Sequence, residues 1–270
     1  MTITTLDGVI AGMQWPRTFA KAVTPTLVAG RPHSLAYLAG VPGTFTANGT
    51  LNGAVRNSTS GQVNGQINFT DPSSGDAYLA RLQGQATIAG SLILADRLWD
   101  NGGYTITSTA AQNSTTPTWP SRDANGATSG DGVLLGLEIS AATGAGTPTI
   151  TVGYTNEAGT AGRSATNYIN TVASSAIGAF YPISLQAGDY GVRSVQSLTL
   201  SATWTSGTMH LVAYRELARL EITSANTPSA IDALTSGMPR LYNGTVPFLI
   251  FIPSTTTASN ISGQVIYTHG

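Results

Sequence analysis

From residue 24 onward, short apolar runs alternate with clusters of Gly, Pro, Asn and Ser at intervals of about ten residues, the rhythm of strands and turns. AYLARLQGQATIAGSLILADRLW (77–99) offers Leu79, Leu82, Ile88, Leu92 and Leu94 as core residues, and GYTITSTAAQ follows the DNGG turn at 100–103. GVLLGLEISAA (132–142), TPTITVGYTN (147–156), VRSVQSLTLSATWT (192–205) and MHLVAYRELARLEI (209–222) are rich in β-branched residues and read as further strands. Between 195 and 204, Val195, Ser197, Thr199, Ser201 and Thr203 share one face. Gln196, Leu198, Leu200, Ala202 and Trp204 share the other, the pattern of a half-buried strand. The AYRELARLE portion of 209–222 contains helix-favouring residues, but the TSGT turn before it and the flanking strands favour one long strand.

Three segments break the rhythm. In residues 1–23, Leu6, Val9, Ile10 and Met13 fall at helical spacing, while Gly8 and Gly12 weaken the helix and Pro16 ends it. This segment reads either as an arm that docks on a neighbouring subunit or as a terminus packed on its own domain. Residues 46–76 are polar and rich in Gly and Asn. They fit a long loop or a hairpin at an Asn-Gly pair (48–49, 52–53 or 64–65), too poor in apolar residues to make a core. TPSAIDALTSG (227–237) predicts a short helix, with Thr227 as its cap, Pro228 at its first position and Gly237 at its end. Many strands without recurring helices predict an all-β fold, an antiparallel β-sandwich or jelly-roll-like domain over 24–270, with an extended N-terminal arm (1–23) and long loops.

Composition narrows the picture. The 270 residues suffice to bury a sizeable core. Charged residues make up only 9% of them, against a usual ~25%, and the formal net charge is −1. The basic residues, eleven Arg and a single Lys (Lys21), are thinly spread, so no dense positive field exists for nucleic acid. The longest apolar stretch, VPFLIFIP (246–253), falls far short of the ~18 residues that span a membrane, so no membrane partner is expected. The absence of cysteine excludes a disulfide framework and thiolate metal sites. MTITTLDGVIAGMQWPRTFAKA lacks the basic start and continuous apolar core of a signal peptide, and synthesis in a cytoplasm is expected. A surface so poor in charge leaves strand edges unguarded unless partners cover them, which favours a subunit of an assembly.

The search for chemistry centres on TITVGYTNEAGTAGRS (149–164). A phosphate loop needs G-x-x-x-x-G-K-[ST]; here no lysine is present and no apolar-striped helix follows. Gly153, Gly159 and Gly162 do not match a dinucleotide fingerprint either. The segment reads as a strand running into a turn bent at Asn156 and Gly159, with Arg163 a candidate for a carboxylate contact within or between chains. His33, His210 and His269 are far apart without ligand-spaced partners, and no G-x-S-x-G elbow places a catalytic serine. Glu216 and Glu221, at odd spacing on one strand, are expected on opposite faces, and Asp96, Asp100, Asp123 and Asp131 in or beside turns. No catalytic, cofactor or metal site is expected. Trp15, Trp99, Trp119 and Trp204 read as core or interface anchors rather than sugar platforms. In ADRLWDNGG (95–103), Arg97 stands beside Asp96 and Trp99. This predicts an Arg–carboxylate pair next to an inserted Trp, locking a sheet corner or a subunit contact.

Taken together, LILADRLWDNGGYTITSTAAQ, GDGVLLGLEISAATGAGTPTITVGYTNEAGTAGRSAT and DYGVRSVQSLTLSATWTSGTMHLVAYRELARLEI resemble a group of tailed-bacteriophage virion proteins of about this length. The likeness extends to the TTLDGVIAGM start and to PRLYNGTVPFLIFIP and ISGQVIYTHG. It implies a structural component of the particle, made in the host bacterial cytoplasm and without enzymatic activity. All-β cement or decoration proteins, commonly trimers bound to the major capsid protein, suit the composition best. A tail or fibre protein that binds receptor glycan is the alternative, and a polysaccharide depolymerase a more distant one. On this reading Leu6, Ile10, Trp15, Phe19, Arg97, Trp99 and Arg163 are the candidate subunit contacts.

Overall fold

The computed structural model describes residues 3–23, 27–58, 65–235 and 237–270. Helix α1 (Leu6–Ala11) starts at Thr5, whose Oγ1 accepts from Gly8 N at 3.2 Å. It leads to β1 (Arg17–Val23), the short pieces β2 (His33–Ser34), β3 (Gly40–Val41) and β4 (Ala54–Val55), then β5 (Ala77–Ala86) and β6 (Gly90–Asp100). After β7 (Gln112–Asn113) come β8 (Leu134–Ala141), β9 (Ile150–Asn156), β10 (Arg163–Asn167), β11 (Phe180–Ser184) and β12 (Val192–Leu200). The 15-residue β13 (Thr208–Ile222) is followed by β14 (Ser229–Asp232), β15 (Arg240–Leu241), β16 (Pro247–Pro253) and β17 (Ser259–His269).

Two antiparallel sheets result. The smaller has the order β14-β5-β17-β1-β3, with β15 also on β5. The larger has the order β2-β16-β6-β13-β8-β11-β10-β9-β12-β7, with β4 on β6. One core lies between the sheets: Phe19, Leu79, Leu82 and Val265 of the smaller meet Leu92, Leu94, Leu220 and Phe251 of the larger. A second core lies inside the larger sheet alone. Leu135 and Leu137 of β8 and Leu211 of β13 share it with Val152 of β9 and Leu198 of β12, so the sheet must roll over on itself. β6 and β13 are long enough to serve both cores, with Met209, Leu211 and Ala213 facing one and Leu217, Leu220 and Ile222 the other. Each such side chain, fully buried, contributes about 1.5–3 kcal/mol. The fold is an all-β sandwich.

Several local expectations are corrected. Residues 229–232 form edge strand β14 on β5 instead of a helix, because the free ladder of β5 and the packing of half-buried Ile231 against the inter-sheet core outweigh local propensity. GYTITSTAAQ contributes only the start of β7; Tyr104 and Ile106 are buried in the second core from a loop. The polar 46–76 stretch is not free of core, since Ile67 and Phe69 are buried between the sheets. It forms no hairpin at 48–49 or 52–53; residues 54–55 pair with β6 instead, and the 64–65 pair lies partly outside the described residues. Asp96 and Asp100 sit within β6 and are fully buried. A register shift between Glu216 and Ala218 changes the parity of β13, so Glu216 and Glu221 are both exposed on one face rather than opposite ones. A similar shift in β12 after Val195 places Val195 and Leu198 in the same core.

The expected arm is divided. Residues 17–23 are an interior strand of the smaller sheet, paired with β17 along seven positions and with β3 on the other side. Only the segment up to Pro16 lies outside the ladders, apart from a bridge between Met13 and Thr268. Lys21, in β1, is buried and donates from Nζ to the carbonyls of Leu38 (2.9 Å), Gly43 (3.3 Å) and Pro42. Burial pushes its pKa down from 10.5 to about 8. The unfolded chain keeps that proton up to about 10.5, so it binds more protons than the folded one between these values. Stability therefore rises with pH across that window. Urea midpoints at about pH 7 and pH 9 should show the increase, and Lys21→Met should abolish it.

Candidate functional site

The most heavily constructed polar feature is the one announced by ADRLWD. Arg97 of β6 forms a two-pronged contact with Glu138 of β8, Nη1 to Oε2 at 2.8 Å and Nη2 to Oε1 at 2.7 Å, with both side chains fully buried. The guanidinium lies between two aromatic rings, 4.2 Å from the centroid of Phe45 and 4.5 Å from that of Phe248. Burial alone would lower the Arg97 pKa, but the Glu138 carboxylate outweighs it and holds the group above its ordinary value. Tyr37 donates to Glu138 Oε2 at 3.2 Å. Asp100 accepts two bonds of 2.7 Å from Arg56 and one from Asn48 N. Asp96 accepts from Val246 N at 2.8 Å and lies 3.4 Å from Arg122 Nε. Trp99 packs against Trp119 and donates to Asn52 O at 3.0 Å.

This network ties β6 to β8 and pins the polar 46–58 segment onto the sheet. Its carboxylates are consumed by arginines and backbone amides, and none faces a cleft where a substrate could reach it. His210 has the same structural role. Asn101 O, an acceptor only, lies 2.7 Å from Nδ1 and fixes the proton there; Nε2 then accepts from Ser140 Oγ at 2.7 Å. Burial lowers the His210 pKa and keeps the ring neutral. Among the described residues no three His, Asp or Glu side chains converge as a metal site would require.

The Gly-rich stretch is a hairpin between β9 and β10. Asn156 Oδ1 accepts from Thr160 N at 2.7 Å, and Gly159 takes φ +84°, a conformation that suits glycine. Arg163 at its end meets Asp189, Nε to Oδ2 at 2.9 Å and Nη2 to Oδ1 at 2.6 Å. These bonds, joined by Tyr154 and Asn156, hold the Asp189 carboxyl well below its usual range.

The candidate contact residues thus separate. Leu6, Ile10 and Trp15 are exposed, at 54%, 58% and 83%. Phe19, Arg97 and Trp99 are buried within the chain. Arg163 is a quarter exposed and engaged within the chain. Sequence reasoning missed the partners Glu138 and Asp189. A lone Glu inside the apolar run LLGLEIS was a signal for the first, whereas Asp189 in a loop offered none.

Two of the surface concavities bear on function. An open cleft of about 460 Å³ is lined by Thr116, Thr118, Thr128, Ser129, Ser194 and Arg193. A tighter, apolar pocket of about 220 Å³ opens on the outer side of β13 and β16.

No family model matches the sequence, and no curated protein matches it. Among solved structures, the chain aligns with the infectious bursal disease virus VP2 subviral particle at 8% identity and a TM-score of 0.18, over 96% of this chain and 81% of that one. The structure of the Gx strain of the same virus aligns at 8% identity and a TM-score of 0.17, over 95% and 81%. Scores this low carry no inference about fold or function.

Proposed function

We propose that this chain is a structural virion protein, most specifically a cement or decoration protein that binds the major capsid protein of a phage head as a homo-oligomer, with three copies the expected number. The observation that carries the reading is the distribution of charge. Of 25 charged residues, nine are buried, among them Asp96, Arg97, Asp100, Arg122, Asp123 and Glu138. Only 16 then remain for an accessible surface of 10,663 Å². Such an exterior of hydroxyls, amides and scattered apolar groups is suited to being covered, since charge is what interface centres lack. The resemblance of the chain to tailed-bacteriophage virion proteins supports the same reading. A tail or fibre role is the second reading, favoured by the hydroxyl-lined cleft around Arg193, whose chemistry fits host-surface glycan.

Quantitative mass spectrometry of purified particles tests the assignment. The cement role expects copies approaching those of the major capsid protein. A handful of copies together with glycan binding would establish the fibre role instead. Polysaccharide turnover abolished by one Asp or Glu change would overturn both.

A further inference from the structure

The pocket on the outer side of β13 and β16 has an apolar floor of Ile93, Phe180, Tyr214 and Ile250. These belong to a cluster on the face opposite the inter-sheet core, with Phe180 and Tyr214 edge-to-face at 5.4 Å. Its rim carries Tyr168, 64% exposed, and the open ion pair of Glu216 and Arg219 at 3.6 Å. At about 220 Å³ it is smaller than the ~300–1,000 Å³ typical of small-molecule sites and suits one large side chain.

Trp15 is such a side chain. At 83% it is the most exposed large apolar residue among those described, and Leu6, Ile10 and Met13 protrude from the same segment. The segment is nevertheless fixed: Val9 is buried, Thr268 Oγ1 donates to Val9 O at 2.8 Å, and Gln14 N donates to Tyr267 O at 2.9 Å. A fixed protrusion loses little freedom on docking. The rim is neutral overall, since Arg219 is paired with Glu216, so no uncompensated charge opposes an entering apolar side chain.

Trp15 cannot reach the pocket of its own chain. Only Trp15 and Pro16 separate the tethered Gln14 from β1, and β1 belongs to the sheet that covers the opposite face of β6, β13 and β16. Two residues span at most ~7 Å, which does not lead around a sandwich. We propose that Trp15 of one copy inserts into the pocket bounded by Tyr168, Tyr214 and Arg219 of a second copy. The contact joins two different patches, and in an oligomer of the three copies expected above it repeats head to tail around a ring. It requires self-association but does not depend on a capsid partner.

Sedimentation velocity of the purified chain tests this. The wild type should form a discrete oligomer. Trp15→Ala, which alters an exposed residue, and Tyr168→Ser, on the opposite patch, should each weaken self-association at least roughly thirtyfold, as loss of a hot-spot side chain does. Because the chain has no cysteine, mixing Met13→Cys chains with Ser184→Cys chains, which leave Trp15 and Tyr168 in place, should yield a disulfide-linked pair of one of each. A monomeric wild type, an unchanged mass for Trp15→Ala, or cross-links only between identical variants would overturn the proposal.

Discussion

Replacing Glu138 by Ala is expected to destabilise the protein by about 3–5 kcal/mol, because it strands a buried charge. That corresponds to a fall of roughly 6–20 °C in melting temperature for a chain of this size. Arg97 has no route to water, enclosed by Phe45 and Phe248 and fully buried. Its remaining carboxylate, Asp100, is 3.8 Å away and already held by Arg56. Replacing both partners, Arg97→Met with Glu138→Leu, should recover most of the loss, since an apolar pair avoids the desolvation cost altogether. Circular dichroism melts of the three variants decide the matter. A Glu138→Ala melt that overlays the wild type would mean that the fork contributes nothing.

Truncation should divide sharply between residues 16 and 20. Removing residues 1–16 takes away α1 and Trp15 but leaves β1 whole, and the remaining chain should fold with a far-ultraviolet spectrum dominated by β structure. Removing 1–20 instead cuts β1 in the middle of its seven-residue ladder with β17. It also deletes Phe19, which is 2% exposed in the inter-sheet core. Loss of such a side chain alone costs about 3–5 kcal/mol, and the exposed edge of β17 becomes a site for aggregation. A soluble, cooperatively melting 21–270 fragment would contradict this account of β1.

The same strand shows where reading the sequence runs out. RTFAKAV has the alternation of a strand, but it follows helix-spaced residues and precedes a proline. Only the distant β17 and β3 make it an interior strand. Long runs such as 132–142 and 209–222 were legible because they are continuous apolar, β-branched stretches bounded by turn residues, as strands covered on both faces are. The bulge in β13 was not, since nothing local in RELAR shows that Leu217 steps out of register and brings Glu216 and Glu221 together. The edge strand 229–232 illustrates the opposite failure. Good helix punctuation yielded to a ladder offered by β5, more than 140 residues earlier in the chain. Of the functional candidates, exposure of Leu6 and Ile10 follows from a helix with only Val9 turned inward, whereas Trp15 lies beyond its end. The outer pocket could not be foreseen, because it is assembled from β6, β11, β13 and β16.

Lys21 has a further meaning. It is the chain's single side-chain amine, and the fold seals it beneath the carbonyls of residues 38–43. Reagents that seek lysines, whether aldehyde fixatives or acylating dyes, find no side-chain target on the intact surface. Only a molecule whose edge at β1 and β3 has come open offers that amine, so covalent labelling of Lys21 counts openings of this edge one molecule at a time.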